Sequence, residues 1–458
     1  MLIDSLLDIV GEWRLAFSQD RVYVRALRQS VGGLLSLGRR TISRTLACLG
    51  RDQLDWSADY KLHSRREWKA ADLFDPILRR AHPLCGDKWV GIAFDDGRLR
   101  KTGRKIPGAS YWADPLSPAF RVNFMWGLRY LQASLLVPHY REVDQPARGV
   151  PVRFTEVPAV KKPGKRASDE NWKAYRETIK TVNLSHAFVK QVTGLREALD
   201  KAGAEGKTMI AALDGSYCNR TCLTTNINRV IMLARLRKDA KLCYPAPPGS
   251  KRVYKAERFS PHEVRHDDAV AWKTMQVFNG GEWRELRYKD IGPVLWQGGT
   301  QRKPMRLLVL AATPYRVRPN GKLHYRDPAY LLCTDIEAPA NILVQTYIDR
   351  WQIEVNHRDE KTTLGVGQAQ VWSAKSVPRQ PAFMVAAYSA LLLAAIETFG
   401  TARTDDYMPL PKWRRGASRP SLLDMIRVLR KEIAARPPCA EPFGLNPDLQ
   451  TMLLAAAA

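Results

Sequence analysis

Tyr347, Arg350, Glu354 and Lys361 stand at offsets of 0, 3, 7 and 14 along one stretch of the chain. On a helix of 3.6 residues per turn these offsets fall within roughly 60° of one another, so the spacing predicts a face carrying one carboxylate, one phenol and two cations. Asp349, Asp359 and Glu360 fall on other sides of the same helix. A face of this kind suits phosphoryl transfer assisted by two divalent ions, which needs carboxylate oxygens to hold the ions and cations to hold phosphate. Two further acids sit where short apolar runs end. Trp89-Val90-Gly91-Ile92-Ala93-Phe94 runs into Asp95-Asp96-Gly97, and Met209-Ile210-Ala211-Ala212-Leu213 runs into Asp214-Gly215. Such runs predict buried strands, and a strand end fixes an acid well enough to ligate. Neighbouring strand residues point to opposite faces, so only one of Asp95 and Asp96 can join Asp214 and Glu354.

The pattern Tyr347-x2-Arg350-x3-Glu354-x6-Lys361 resembles the YREK signature of a large group of bacterial insertion-sequence transposases of the DDE type, which share an RNase H-like catalytic core. The order agrees: a strand-borne acid, a second in Leu213-Asp214-Gly215-Ser216-Tyr217, then a helical Glu, with a β-rich insertion before the last. The resemblance spans about 86 to 400. It implies an α/β fold with an RNase H-like mixed sheet, and two Mg²⁺ (or Mn²⁺) ions held by Asp96, Asp214 and Glu354. Asp96 is favoured because Gly97 follows it, as in the family; Asp95 is the alternative. It also implies double-stranded DNA as partner, both transposon end repeats and target, and a homodimer working on paired ends. Hydrolysis at the transposon end would free a 3′-OH, which then attacks target DNA by the same in-line displacement. Arg350 and Lys361 would hold phosphate, and Tyr347 would position backbone or stack on a base.

The elements needed to position these residues can be read coarsely. Residues 1–85 carry apolar positions at helical spacing and predict a helical region, either DNA-binding or an ordinary helical bundle. Within it, Gly38-Arg39-Arg40-Thr41-Ile42-Ser43-Arg44 opens a short basic helix that could lie in a groove, with Arg39, Arg40 and Arg44 on phosphate. Residues 86–228 form the first part of the core, and the loop after the first acid reads either as a segment that sets Lys101, Arg104 and Lys105 on DNA phosphates or as a plain solvated turn. Pro146 to Arg166 reads as a solvated linker. Residues 229–339 predict a β-rich insertion, from short alternating segments separated by Gly280-Gly281, Gly298-Gly299 and Asn320-Gly321. Residues 340–400 return to the core with the Glu-bearing helix, and 401–458 form a helical, basic C-terminal region. The apolar run Ala382 to Ile396 is short for a bilayer and reads as a buried helix.

Composition agrees with a polyanion partner. The 458 residues include 72 Lys plus Arg against 46 Asp plus Glu, a formal charge of +26, and self-repulsion on that scale is relieved by nucleic acid. The acidic N-terminal stretch lacks a basic n-region, and seven scattered cysteines suit a reducing cytoplasm. A cytoplasmic location without membrane contact is therefore expected, and the resemblance implies a bacterial, nucleoid-associated one. Three other functions are carried. His262-Glu263-Val264-Arg265-His266 spells a zinc-protease motif, with His262 and His266 as ligands, set among polar residues and without an evident third ligand. A catalytically inactive DNA-binding regulator derived from a transposase is the second. The third, an RNase H-fold nuclease that cuts without joining, shares the same site.

Overall fold

The computed structural model describes residues 1–435 except 37, 52, 115–116, 119, 139–145, 318–319 and 413–415; Cys439 and the end of the C-terminal region lie outside them. The chain begins with helices α1 (Leu2–Gly11), α2 (Asp20–Leu35), α3 (Ile42–Cys48), α4 (Ser57–Ser64) and α5 (Ala70–Ala81). Each buries its apolar stripe: Leu2, Ile3, Leu6, Ile9 and Val10 of α1 are all inside. Strands β1 (Trp89–Arg100), β2 (Ser110–Ala113), β3 (Phe124–Val137) and β4 (Arg148–Glu156) follow, then α6 (Asp169–Thr181) and α7 (Leu184–Lys201). Asn183 caps α7 by accepting from the His186 N–H.

Next come β5 (Thr208–Leu213), α8 (Arg220–Thr224), β6 (Val230–Arg235), β7 (Leu242–Pro245), β8 (Tyr254–Phe259) and α9 (Pro261–His266). Strands β9 (Lys273–Asn279), β10 (Glu282–Val294), β11 (Met305–Leu310), β12 (Pro314–Arg316), β13 (Leu323–Tyr325) and β14 (Ala329–Cys333) complete the β-rich stretch. The chain then closes with α10 (Ala340–Asp349), α11 (Gln352–Arg358), α12 (Ser376–Phe399) and α13 (Leu422–Ala435).

The result is a mixed α/β fold built on one ten-stranded sheet in the order β2-β3-β1-β5-β6-β14-β11-β10-β9, with β4 also on β3. Strands β1, β5 and β6 run parallel to one another, while β3 is antiparallel to β1 and β14 is antiparallel to β6. Two boundaries differ from the sequence reading. β6 pairs with β5, so the β-rich stretch departs from the central sheet only after Arg235, and β14, β11, β10 and β9 then extend that sheet. The segment read as a linker from Pro146 contains β4, buried along most of its length. Pro151 masked it, because proline cannot donate to a ladder. Here β4 lies against β3 and a register shift between Ala133 and Ser134 accommodates Pro151.

The helical ends pack onto this sheet. α12 is buried among α1, α2, α5 and β4, with Trp13 of the N-terminal region against Phe383 at 5.9 Å. The Glu432 carboxylate of α13 accepts from the Leu2 and Ile3 N–H groups, capping the free start of α1. The helix α12 is long and apolar enough to cross a membrane, yet 83% of its apolar window is buried inside the protein.

Candidate active site

Parity along β1 decides which acid goes where. Phe94 meets Phe188 of α7 edge-on at 5.1 Å, so Asp96, two residues on, lies on the α7 side of the sheet. Ala93 packs with Ile353 of α11, and a side chain at Gly97 would meet Lys361 Nζ and the His357 ring at 3.7 Å. Asp95, between them, faces the side covered by α10 and α11. On β5, Ile210 packs against Ile342, Leu343 and Val344 of α10, which puts Asp214 on that same side. Ala93 is in register with Ala212 across the parallel pair, so continuing by two residues sets Asp95 beside Asp214.

Asp95 rather than Asp96 therefore shares a face with Asp214 and Glu354, which corrects the preference drawn from the sequence. Asp96 accepts from Arg129 Nε at 2.8 Å with Arg98 at 3.8 Å, on the far side of the sheet. Burial and then the neighbouring Asp214 raise the Asp95 carboxyl to about 7, against the pull of Arg350. Burial also raises Glu354, offset by Arg350, with Asp214 raising it further. These shifts are the cost of crowding anions on a half-buried surface.

The helix that carries Glu354 is not one uniform α-helix. It tightens at its middle, where the Glu354 N–H bonds to the Trp351 carbonyl at 3.1 Å, and then widens into a π-turn over Asp359–Thr363. The two departures act in opposite senses on the winding, and Lys361 still reaches back over Gly97. Arg350 donates to Glu354 at 3.2 Å and lies 5.9 Å from the Tyr347 ring. The predicted grouping of Tyr347, Arg350, Glu354 and Lys361 is thus present. Asp349, Asp359 and Glu360 are off this face but buried, not solvated.

Three neighbours escaped the sequence reading. His357 is largely enclosed, its side chain 13% exposed, with its Nδ1 4.0 Å from Asp95 Oδ2, and desolvation together with Lys361 holds it down at about 3, hence neutral. Its place three residues after Glu354, on the same helical face, was the available signal. Arg235 ends β6 next in register to Asp214, as Leu213 pairs with Ala234, and it acts on the Tyr347 phenol. Tyr217 lies buried close to Asp96, Asp95 and Asp214.

Several residues expected at DNA stand elsewhere. Lys101 is 8% exposed, and its Nζ donates to the Gly367 carbonyl at 2.6 Å and the Ala369 carbonyl at 3.3 Å. It staples the loop after the π-turn to the end of β1, and burial lowers it to about 8. Arg40 is also buried; its backbone N–H donates to Gln368 Oε1 at 2.9 Å, and burial with Arg430 nearby lowers the guanidinium to about 10. Arg39, Arg44, Arg104 and Lys105 remain exposed. Lys101→Met is accordingly expected to destabilise the fold by about 1.5–3 kcal/mol, the worth of a hydrogen-bonded charge, in urea melts. If DNA is the partner, as the sequence leads one to expect, Lys101→Met should leave the salt dependence of its binding unchanged, whereas Arg104→Gln with Lys105→Gln should reduce it.

The carboxylates, all oxygen donors, suit a hard divalent cation in kind. Among the described residues, no three His, Cys, Asp or Glu side chains converge as they stand into a metal-holding group. The His262/Glu263/His266 segment is the six-residue helix α9, and Glu263 closes a capping box by accepting from the Ser260 N–H at 2.6 Å. The carboxylate that a zinc protease would use as base is thus engaged in capping its own helix. Cys218 and Cys222 are raised to about 12 and 11 by burial, as inert thiols are.

A buried polar layer lies behind the acids. Gln132 Nε2 donates to Ser134 Oγ at 3.3 Å, Ser134 Oγ to Asn356 Oδ1 at 2.9 Å, and Asn356 Nδ2 to the Gly149 carbonyl and the Tyr388 hydroxyl at 2.8 and 3.0 Å. Glu360 belongs to it: burial first raises it to about 8, and Gln132 and Lys361 pull against this. The folded chain therefore keeps a proton that the unfolded chain releases near the ordinary carboxyl value, so stability should fall as pH rises from about 4.5 to 8. Glu360→Gln removes that loss, and its urea midpoint should gain on wild type across the same window. A constant difference from pH 5 to 8 would contradict this.

No protein-family model matches the sequence, and no curated protein matches it.

Proposed function

We propose that this chain is a DDE-type DNA transposase with an RNase H-like core, cutting at transposon ends and joining them to target DNA. The observation that carries this reading is the placement of Asp95 and Asp214 side by side on parallel strands, on the face crossed by the Glu354 helix. A mixed sheet presenting two strand-borne acids to a helical third is the scaffold such chemistry requires. Asp95, Asp214 and Glu354 would hold two Mg²⁺ or Mn²⁺ ions. Bound there, the ions supply activation of the attacking oxygen and relief of charge on the leaving one.

The chain's own residues do the rest. Arg350 restrains the Glu354 carboxylate and, with Lys361, offers positive charge to phosphate. Tyr347 packs beside Arg350 and limits its swing. Cleavage forms a bond from water oxygen to phosphorus as the 3′ oxygen leaves; the resulting 3′-OH repeats the displacement on target DNA, so no protein nucleophile is called for. Work on paired ends implies a homodimer bound to double-stranded DNA.

Supercoiled-plasmid nicking with Mg²⁺ or Mn²⁺, followed by a strand-transfer assay, tests the reading. Nicking with joined product supports it. Nicking without joining would leave a plain nuclease, and DNA binding with no nicking would leave an inactive regulator. Binding should be steeply salt-dependent: with about six to ten phosphate contacts, affinity drops about a thousandfold or more between 50 and 200 mM salt. A flat response would show that the +26 charge serves something else.

A further inference from the structure

Beyond Asp95 the strand β1 continues to Arg100, and with β2 and β3 it forms an extension past the acids. Antiparallel register fixes its faces. Asp95 pairs with Gln132, Gly97 with Tyr130 and Leu99 with Leu128, so Trp126 and Phe124 continue the Asp95 face along β3. Tyr111 pairs with Trp126 and stands on that same face. Tyr111 and Phe124 are 67% and 69% exposed, which is unusual for large side chains on a strand.

Their supports are rigid. The Trp126 indole donates to the Gly103 carbonyl at 3.0 Å, and Tyr111 meets Trp126 edge-on with ring centres 5.0 Å apart. The Trp112 indole, on the other face, donates to the Gly127 carbonyl at 3.1 Å and lies under Arg129 at 5.3 Å. Exposed cations follow the two rings along the chain, Arg104 and Lys105 before Tyr111 and Arg121 before Phe124, while Arg100 lies on the opposite face of β1 and pairs with Asp114 at 3.4 Å. An apolar protein partner seated on such an apron would bury Arg104, Lys105 and Arg121 away from water, whereas a nucleic-acid strand neutralises them.

We infer that Tyr111 and Phe124 form a stacking platform for an unpaired base of the DNA strand running along the Asp95 face. The inference rests on the proposed action on DNA. In a duplex the faces of each base are covered by its neighbours, so an exposed ring standing off a strand finds a partner only in a base that has left the stack. As diagonal cross-strand neighbours, the two side chains are about 7–8 Å apart, roughly twice the 3.4 Å rise between stacked bases. Six residues of strand separate Asp95 from the level of Lys101, whose N–H bonds to the Trp126 carbonyl at 3.0 Å, roughly 20 Å of travel or six base pairs.

The test uses full-length protein and a hairpin duplex carrying a single-stranded extension with 2-aminopurine. Wild type is expected to quench the probe. Tyr111→Ala with Phe124→Ala should abolish the quench and weaken binding at least about fivefold with an unchanged salt slope, since no phosphate contact is lost. Tyr111→Phe and Phe124→Trp should keep both. An unchanged quench in the double Ala variant overturns the inference, as does an equal loss of affinity for a fully paired duplex, or a change in association state instead of binding. If wild type quenches the probe but never nicks DNA, the platform stands and the transposase reading falls. If wild type nicks DNA without quenching at any probe position, the platform alone falls.

Discussion

Asp95→Asn is expected to abolish strand cleavage while Asp96→Asn damages the fold and spares the chemistry. Loss of one carboxylate from a two-ion site removes about 4 kcal/mol of transition-state charge stabilisation, roughly a thousandfold in rate. Among the described residues Asp95 has no Lys or Arg in hydrogen-bonding contact, and its carboxyl is raised to about 7 by burial and by Asp214. Neutralising it relieves that crowding, so the variant should melt no lower than wild type near pH 8. Asp96 behaves oppositely. Its carboxylate is 8% exposed and holds Arg129 at 2.8 Å, so an Asn there leaves a half-buried guanidinium without its anion. Removing one partner of such a pair costs about 3–5 kcal/mol when buried, and less in proportion to the 18% exposure of Arg129. Plasmid nicking per folded molecule, read beside urea melts, separates the two positions. Asp214→Asn and Glu354→Gln should fall with Asp95→Asn, and retained nicking by any of the three would remove the acids from the reaction. Retained nicking by Asp95→Asn together with loss by Asp96→Asn would reverse the assignment made from strand parity.

The contrast between these two neighbours marks where reading the chain by itself stops. An apolar run ending in two acids predicts a strand and its end, and β1 is there. Which acid faces the site depends on what covers each side of the sheet, and that is settled by Phe188 of α7 and Ile353 of α11, far along the chain. The grouping of Tyr347, Arg350, Glu354 and Lys361 was legible because helical periodicity is local. Even there the tight turn at Trp351 and the π-turn over Asp359–Thr363, which buries Asp359 and Glu360, leave no mark in the spacing of the residues. Lys101 and Arg40 show the same limit. Their charge suggests surface, yet their long stems let each side chain bury, and Lys101 finds backbone carbonyls there. The strand β4 was hidden by Pro151 and its basic flanks, and it proves to be the strand against which the Glu-bearing helix is seated.

That seat supplies the second large effect. A methyl group on Gly149 would lie 2.8 Å from Asn356 Oδ1 and 3.0 Å from Gln352 Cβ, so Gly149→Ala must push α11 away from β4 or distort both. Overpacking of this kind costs about 1–3 kcal/mol, and weakening the hydrogen bond from Asn356 to the Gly149 carbonyl adds about 1 kcal/mol. The displacement also reaches chemistry, because Glu354 lies between Gln352 and Asn356 on the same short helix. A shift of about 1 Å in a reacting group lowers rate by roughly a hundredfold. Gly149→Ala is therefore expected to lower both the urea midpoint and nicking. Asn356→Ala should lower stability by itself, since it deprives Ser134, Tyr388 and Gly149 of a buried partner. Combining the two removes the clash with Oδ1, so the double variant should lose less than the sum of the single losses, a coupling of about 0.5–3 kcal/mol. Strict additivity, or a Gly149→Ala protein with wild-type nicking, would mean that close approach of β4 does not hold the Glu354 helix in place.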